Sequence, residues 1–408
     1  MTSKSQKVLV IDDDPSTVEI QAKLLSRAHF EVEECLDSSQ ALDKALICKP
    51  HYVFCDMMMP NIDGLEVCRQ IKSHEELKDI SFVMVSSKAY EYDKKQAYLA
   101  GADAYITKPF TEEKLNMTLK SLRSKITFWG IHGTLPVPGP QTTKYGGNTS
   151  CISVEFSKDR NFIFDAGSGI KPFSDYVMKK SAGKKFNSHI FITHPHWDHI
   201  NAFPFFTPLF IQGNSIDVYG PKQFDKSMYR IMSDQMDGVY FPVTVQEFGA
   251  HVDYHDLGEG VHTIEGIKVE TMMLTHPGNC LGYKVTYNGI SFCYITDNEL
   301  YFPDHDSYND LFYRNLVEFS KGCDYFIHDT TYFDEEYEKK THWGHSCISQ
   351  VCLLAHEAEV KNYYLFHHDP DHNDEKIQQK LEVAQSELAK LKSKTKCHIA
   401  YEGLELYF

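Results

Sequence analysis

The residues best suited to chemistry stand together after the apolar run Ile190–Ile192. They are His194, His196, Asp198 and His199, with Pro195 and Trp197 between them. Neutral imidazole and carboxylate are the ligands that borderline divalent metals prefer. The alternation lets one short loop aim side chains at two neighbouring points, which is more than one ion needs. Pro195 also biases His194 towards an extended backbone. The stretch therefore predicts a site for two metal ions.

Three later apolar runs also end in metal-ligand residue types. Met272–Thr275 is followed by His276, Phe292–Thr296 by Asp297, and Tyr363–Phe366 by His367 and His368. Because a sheet edge can bring distant strand ends to one place, these side chains are expected to join the His194 loop. His367 is preferred over His368 because it directly follows the apolar run. A fourth run, Asn161–Phe164, ends in Asp165, for which capping of a helix N-terminus is the simplest expectation.

The first hundred and twenty-five residues show a repeated strand-then-helix pattern. Four strand-like runs each end in polar residues, and these are Asp12, Asp13 and Asp14, then Asp56, then Ser86, then Lys108. Strands that deliver polar residues to one edge are typical of doubly wound parallel sheets, and acidic residues there indicate a cation site.

Composition limits the class of protein. A chain of 408 residues exceeds what one core usually organises, so two domains are expected. It lacks an apolar run of eighteen residues and an N-terminal signal peptide, which favours a cytoplasmic protein without membrane partners. Eleven cysteines without C-x-x-C spacing favour reduced thiols. The net charge of -16 argues against extended nucleic-acid binding.

The boundary falls after a helix expected over Thr111–Ser124, because the next strand begins at Ile126 without a flexible linker. We therefore predict one domain over residues 1–124 and a second over residues 126–408.

The stretch Lys7–Arg123 resembles the receiver domain of response regulators, which implies a flavodoxin-like (βα)5 fold. By that resemblance Asp56 accepts a phosphoryl group from a cognate histidine kinase. The resemblance also assigns Mg²⁺ binding to Asp12, Asp13, Asp56 and the Met58 carbonyl, and phosphate contacts or switching to Ser86, Lys108 and Tyr105. A carboxylate nucleophile needs such a cation and ammonium to accept a dianion. A flavodoxin-like domain without phosphorylation is the alternative.

Residues 126–408 resemble the metallo-β-lactamase superfamily, and within it the branch of tRNA 3′-processing endonucleases and class II cyclic-nucleotide phosphodiesterases. The resemblance implies a layered αββα sandwich. It assigns the first metal to His194, His196 and His276, the second to Asp198, His199 and His367, and the bridging position to Asp297. A diiron oxygen-reducing site typically has Glu where His196 stands, so zinc or manganese is favoured over iron.

The segment His342–Cys347 resembles the His-Ser-Thr loop of the phosphodiesterase branch. By that resemblance His345 contacts the scissile phosphate and helps to protonate the leaving oxygen. At the metal centre, Asp198 is expected to orient the attacking water besides binding metal. The alternative is a purely structural role, in which Ser346 is the N-cap of the following helix and His345 is only its neighbour. His328 and Asp329 are expected to orient a ligand or the His345 loop.

The favoured function is a response regulator whose output is a binuclear metal phosphodiesterase for a small phosphodiester, controlled by phosphorylation at Asp56. A tRNA 3′ endonuclease is an alternative, but from Ile126 onward 24 Lys and Arg face 37 Asp and Glu, which suits tRNA poorly. A non-hydrolytic metal sensor or docking module is a second alternative. A β-lactam, thioester or lactone hydrolase needs no counterpart of His345. The sequence leaves open whether the protein forms a homodimer.

Overall fold

The computed structural model describes residues 6–156, 160–181 and 183–408. The chain divides into two compact units, of which one ends at Ser124 and the other begins at Lys125. Within the described ranges, no helix combines the length and apolar character needed to span a bilayer.

The first unit is built on a five-stranded parallel sheet with the strand order β2-β1-β3-β4-β5. The strands are β1 (Lys7–Ile11), β2 (Glu31–Cys35), β3 (Tyr52–Asp56), β4 (Ser81–Ser86) and β5 (Ala104–Thr107). The helices are α1 (Pro15–Arg27), α2 (Ala41–Cys48), α3 (Gly64–Ser73), α4 (Glu91–Leu99) and α5 (Glu112–Leu122). This confirms the predicted doubly wound fold.

Alternation along the central strands explains why this sheet is covered on both faces. Val53 and Cys55 of β3 belong to one buried apolar cluster, whereas Phe54 between them belongs to the other. A strand buried on both sides needs the near-continuous apolar run that β3 has. Asp14, the third acid after β1, caps helix α1 by accepting a hydrogen bond from Ser16 N at 3.0 Å.

The second unit contains two seven-stranded sheets. The first has the order β11-β10-β9-β8-β7-β6-β19. Its strands are β6 (Lys125–Gly130), β7 (Cys151–Glu155), β8 (Asn161–Phe164), β9 (Asn187–Phe191), β10 (Ser215–Pro221), β11 (His251–Leu257) and β19 (Glu405–Tyr407). The second has the order β12-β13-β14-β15-β16-β17-β18. Its strands are β12 (Gly260–Ile264), β13 (Ile267–Met273), β14 (Leu281–Tyr287), β15 (Ile290–Ile295), β16 (Tyr325–Asp329), β17 (Asn362–Phe366) and β18 (Lys396–Ile399).

Helices of this unit lie against the sheets. They are α6 (Ile170–Ser181), α7 (Trp197–Ile200), α8 (Met228–Asp234), α9 (Asp310–Ser320), α10 (Asp334–Tyr337), α11 (Ile348–Glu357) and α12 (Asp374–Lys390). Helix α6 contacts β6 and β7 of the first sheet, and α12 contacts α11 and β18 of the second.

The two sheets pack face to face through aromatic side chains. The ring of Phe164 on β8 lies 5.5 Å from that of Tyr283 on β14 and 5.7 Å from that of Tyr294 on β15. Phe128 on β6 lies 6.2 Å from Phe366 on β17. All five rings are fully buried. Burial of such rings between two sheets supplies the main apolar contribution to folding. The sandwich with helices on both outer faces confirms the predicted αββα fold.

Candidate metal centre and receiver site

The structure brings the seven predicted ligand side chains together in two groups that share one carboxylate. In each group, one ligand atom from each residue lies within 4.8 Å of all the others. The first group is His194, His196, His276 and Asp297, and the second is Asp198, His199, His367 and Asp297. These residues follow or closely trail β9, β13, β15 and β17, so two sheets converge on one edge.

Asp297 stands between the two groups. Its Oδ1 lies 3.7 Å from His194 Nε2 and 3.7 Å from His276 Nε2. Its Oδ2 lies 3.0 Å from His199 Nε2 and 3.1 Å from His367 Nε2. Each oxygen therefore faces a different group, which is the arrangement that a bridging carboxylate requires.

The donor atoms fit a pair of divalent cations. Nε2 of His194 is buried and makes no hydrogen bond within the described part of the chain. Asp198 Oδ2 lies 3.1 Å from His199 Nε2 and 3.2 Å from His367 Nε2. Ligands about 2.0 Å from a tetrahedral zinc ion lie about 3.3 Å from one another. The spacing of the donor atoms and the unpartnered Nε2 of His194 thus match metal ligation.

Burial sets the protonation of several ligands. It lowers the pKa of His276 to about 4 and holds the pKa of His194 well below its ordinary value. Burial alone would raise the pKa of Asp297, but the neighbouring imidazoles of His367 and His199 hold it well below the usual range. Burial opposes ionisation of His199, but the charges of Asp198, Asp297 and Asp165 hold the pKa of His199 well above its ordinary value. Asp297 is therefore in the form that binds a cation, whereas His199 must give up a proton to an incoming metal ion.

Asp165 has a role that the sequence did not predict. It does not cap a helix, because α6 begins only at Ile170 and the carboxylate is fully buried. Asp165 Oδ2 lies 2.8 Å from His199 Nδ1 and accepts a hydrogen bond from the Tyr294 hydroxyl at 2.9 Å. Oδ1 accepts one from Thr193 N at 2.8 Å. Asp165 therefore fixes the tautomer and orientation of His199 so that Nε2 points into the centre.

Nδ1 of two other predicted ligands, His276 and His367, also has a hydrogen-bond partner outside the centre. His276 Nδ1 lies 2.9 Å from the main-chain oxygen of Gly344, and His367 Nδ1 lies 3.2 Å from Thr331 Oγ1. With Nδ1 occupied in this way, Nε2 of each ring is left for the centre. Asp198 is held by Thr134 N, which donates to its Oδ2 at 2.7 Å.

His345 lies at the edge of the centre with a carboxylate behind it. Its Nδ1 lies 2.9 Å from Asp329 Oδ2 and 3.8 Å from Asp297 Oδ1. Its ring stacks on His367 with a centroid separation of 4.9 Å. Burial would lower the pKa of His345, but the charge and hydrogen bond of Asp329 raise it to about 9. A protonated imidazole beside the carboxylate that both groups share can deliver a proton to a leaving group.

Glu299 is a buried acid that the sequence analysis did not single out. It accepts hydrogen bonds from His342 N at 2.7 Å, Gly344 N at 2.8 Å and the Tyr337 hydroxyl at 3.0 Å. Its carboxylate thus shapes the loop that carries His345. The position of Glu299 two residues after Asp297 could have marked it as a site residue. The local sequence does not show that its carboxylate binds the loop that carries His345.

The interpretation of Ser346 as the N-cap of the following helix is wrong. Cys347 occupies the N-cap of α11, and its main-chain N–H donates to Gln350 Oε1 at 3.4 Å. Ser346 Oγ instead donates to Asn298 O at 2.5 Å and accepts from Leu300 N at 3.1 Å. It ties the His345 loop to the segment after Asp297.

Two histidines that adjoin site residues in the sequence, His368 and His328, do not face the candidate centre. His368 turns away from the centre, with its ring 5.9 Å from that of His132 and its Nδ1 3.5 Å from Lys380 Nζ. His328 bonds the main-chain oxygen of Asp329 and lies 3.4 Å from the Asn298 amide, so only Asp329 of that pair reaches His345.

In the receiver unit, Lys108 joins two of the predicted acids. Its Nζ lies 2.6 Å from Asp12 Oδ2 and also pairs with Asp56 Oδ1. Met58 N donates to Asp56 Oδ2 at 2.7 Å. Burial raises the pKa of Asp12, although Lys108 opposes that shift. The ends of β1, β3 and β5 thus place an acid pair and an ammonium together, as acceptance of a phosphoryl group requires.

The other predicted receiver residues lie around this pair. Asp13 is exposed beside Asp12. Ser86 is buried at the end of β4, and its Oγ accepts from Lys88 N at 3.1 Å. The Tyr105 hydroxyl donates to Lys88 O at 2.8 Å. Ser86 and Tyr105 thus both contact the main chain of Lys88, two residues after the end of β4.

Comparison with known proteins assigns both units to families. The family model described as "Response regulator receiver domain" matches residues 8–120. The one described as "Beta-lactamase superfamily domain" matches residues 160–368, which is half of the chain.

The similar curated proteins match through the receiver unit. Protein PilG of Pseudomonas aeruginosa is 35% identical over 119 residues, which are 29% of this chain and 88% of PilG. The alkaline phosphatase synthesis transcriptional regulatory protein PhoP of Bacillus subtilis is 36% identical over 124 residues, which are 30% of this chain and 51% of PhoP. The match thus spans about half the length of PhoP.

The chain is also similar to a solved structure. The metallo-β-lactamase fold protein YhfI of Bacillus subtilis is 17% identical, with a TM-score of 0.49, and the match covers 70% of this chain and all of YhfI. From the two family matches, the chain belongs to the β-lactamase superfamily and carries a response regulator receiver domain ahead of that domain.

Proposed function

We propose that residues 126–408 form a binuclear metal-dependent phosphodiesterase for small phosphodiesters such as cyclic nucleotides, and that phosphorylation of Asp56 controls it. One observation carries the proposal. His345 is backed by Asp329 and lies 3.8 Å from Asp297, the carboxylate shared by both ligand groups. A proton donor at that place suits departure of an alkoxide, which is a poor leaving group.

The seven ligand-type residues would hold the two cations, with zinc favoured and manganese or iron as alternatives. When bound, the cations would supply positive charge for the phosphoryl oxygens and lower the pKa of a water that serves as nucleophile. The imidazole of His196, whose Nδ1 lies 3.0 Å from His276 Nε2, is a ligand type that suits zinc.

The chain's own residues would do the remaining work. Asp198, fixed by the main-chain N–H of Thr134, is placed to orient the attacking water. The Nδ1–H group of His345 donates a hydrogen bond to Asp329. The proton on Nε2 is therefore the one available to the leaving oxygen. Loss of that proton leaves a neutral imidazole, which the Asp329 hydrogen bond keeps in place.

The proposal is tested with the full chain loaded with Zn²⁺ or Mn²⁺. Bis-p-nitrophenyl phosphate, 2′,3′- and 3′,5′-cyclic nucleotides, precursor tRNA and nitrocefin are offered as substrates, with His196→Ala and His345→Gln as controls. We expect turnover of small phosphodiesters that His196→Ala abolishes. Turnover of precursor tRNA alone would favour the endonuclease alternative, and turnover of nitrocefin alone would contradict the proposal.

Control by the receiver is tested separately. The rate with the preferred phosphodiester is measured before and after treatment with beryllofluoride, which mimics the phosphorylated carboxylate. We expect the rate to change in the wild type and to stay constant in Asp56→Asn. An equal response of both proteins would remove Asp56 from the proposal while leaving the phosphodiesterase activity intact.

A further inference from the structure

Lys380 on α12 is a fully buried lysine that the proposed chemistry does not use. Its Nζ donates to Thr331 O at 2.6 Å and to Thr330 O at 2.8 Å, and it lies 3.5 Å from His368 Nδ1. Its hydrogen bonds therefore go to main-chain oxygens rather than to a carboxylate. Such an arrangement anchors a stretch of backbone.

The anchored backbone is the loop that follows β16 and joins two parts of the candidate centre. Thr331 N donates to Asp329 Oδ1 at 2.9 Å. Thr331 Oγ1 lies 2.6 Å from Asp329 Oδ1 and 2.7 Å from the main-chain oxygen of His367. The opposite oxygen of Asp329 holds His345. A shift of this loop would therefore move the carboxylate that orients His345.

Burial of the Lys380 amino group costs desolvation free energy, and an apolar side chain could fill the same space. Burial lowers the pKa of Lys380 to about 7, against the attraction of Asp369 and Glu336. A methionine has a stem of similar length and would avoid the desolvation of the amino group. What Lys380 supplies beyond its stem is the pair of hydrogen bonds to the loop.

We propose that Lys380 is a positioning residue: its amino group holds the carbonyls of Thr330 and Thr331 and thereby fixes the hydrogen-bonded pair of Asp329 and His345. The inference rests on the proposed phosphodiesterase function for its kinetic consequence. Its structural consequence, the rigidity of that pair, can be measured without turnover.

The kinetic test compares Lys380→Met with Lys390→Met, which makes the same change at an exposed position of the same helix. Bis-p-nitrophenyl phosphate releases p-nitrophenolate, which leaves without protonation, whereas 3′,5′-cyclic AMP releases an alkoxide. In Lys380→Met we expect kcat for cyclic AMP to fall on the order of tenfold, while kcat for the nitrophenyl ester stays within about threefold. A purely structural lysine would lower both equally.

The second test uses NMR of the full chain labelled with ¹⁵N-histidine. The proton shared by His345 Nδ1 and Asp329 is assigned by its loss in His345→Gln. The proton shared by His199 Nδ1 and Asp165 provides an internal control, since that pair lies 2.8 Å apart on residues that Lys380 does not contact. We expect the His345 signal to broaden or vanish in Lys380→Met while the His199 signal stays.

An unchanged His345 signal in folded Lys380→Met would overturn the inference, whatever the rates. If Lys380→Met does not fold, Lys380→Leu, which also lacks a hydrogen-bond donor, is measured in its place with the same two outcomes. If the wild type turns over no phosphodiester, the proposed function fails, and the NMR signal alone decides the role of Lys380.

Discussion

The imidazole of His345 and the carboxylate of Asp329 form a buried hydrogen-bonded pair with an Nδ1 to Oδ2 distance of 2.9 Å. His345 comes from the loop before α11, and Asp329 is the last residue of β16, so the pair joins two separate elements. His345 Nδ1 also lies 3.8 Å from Asp297, the carboxylate that both ligand groups share. The geometry of the pair gives the first prediction.

Asp329→Asn should lower the pKa of His345. The pKa of about 9 results from burial, which lowers it, and from the stronger effect of Asp329, which raises it. A neutral amide removes that charge, so the midpoint should move to lower pH by about 1 to 3 units. Histidine NMR titration of the metal-free chain measures it. Asp310→Asn, at an exposed site on α9, should leave the midpoint in place. An unchanged midpoint in Asp329→Asn would show that the pair does not set the pKa.

Asp165→Asn should weaken zinc binding. Asp165 supports His199 from outside the centre, and loss of such a carboxylate typically costs about 10- to 100-fold in metal affinity. Competition with a chromophoric chelator gives the affinity. Tyr294→Phe is the matched control, because it removes one donor to the same carboxylate while the contact of Asp165 with His199 at 2.8 Å remains. An equal loss in both variants would point to general disruption of the core instead.

Local sequence was enough to predict the ligand loop, because His194 to His199 are contiguous and follow an apolar run. His276, Asp297 and His367 could be predicted because each follows a strand-like run, and strand ends gather at sheet edges. The doubly wound sheet of the first unit followed from its repeated strand-then-helix pattern, whereas the receiver and αββα folds were expected from resemblance to known families.

The supporting residues could not be predicted in this way. The contact between Asp165 and Tyr294 joins strands of different sheets, and the one between Lys380 and Thr331 joins α12 to a loop 49 residues earlier. Such pairings depend on how the two sheets pack, which no local period encodes. Asp165 looked like a helix cap because an acid before a glycine-rich turn commonly is one.

His367→Ala and His368→Ala should differ in metal content. His367 Nε2 lies within 3.2 Å of both Asp198 and Asp297, whereas the neighbouring His368 faces His132 and Lys380. His367→Ala should retain one equivalent of zinc after dialysis, and His368→Ala should retain two. Elemental analysis of the two purified proteins gives the counts. The reverse result would exchange the roles of the two histidines.

Asp56→Asn should abolish phosphorylation of the chain by acetyl phosphate, since Asp56 pairs with Lys108 at the end of β3. Asp14→Asn should leave phosphorylation intact, because Asp14 is an exposed N-cap of α1 and asparagine caps a helix equally well. Phosphate-affinity electrophoresis separates the modified and unmodified chains. Loss of the shifted band in Asp14→Asn would instead assign this third acid to the phosphorylation site.

Gly133→Ala should damage the metal centre through simple crowding. A Cβ atom at Gly133 would lie 2.1 Å from Cε1 and 2.4 Å from Nδ1 of His367, so this ring must move. A Cβ atom at Gly139, in the same glycine- and proline-rich segment, meets no atom within 4 Å. We expect Gly133→Ala to lower zinc affinity at least about tenfold, as loss of ligand orientation does, and Gly139→Ala to bind zinc as the wild type does. Isothermal titration of the metal-free proteins measures both. Equal zinc affinities in the two variants would mean that His367 is not constrained by Gly133, and that its place in the second ligand group tolerates a displacement of the ring.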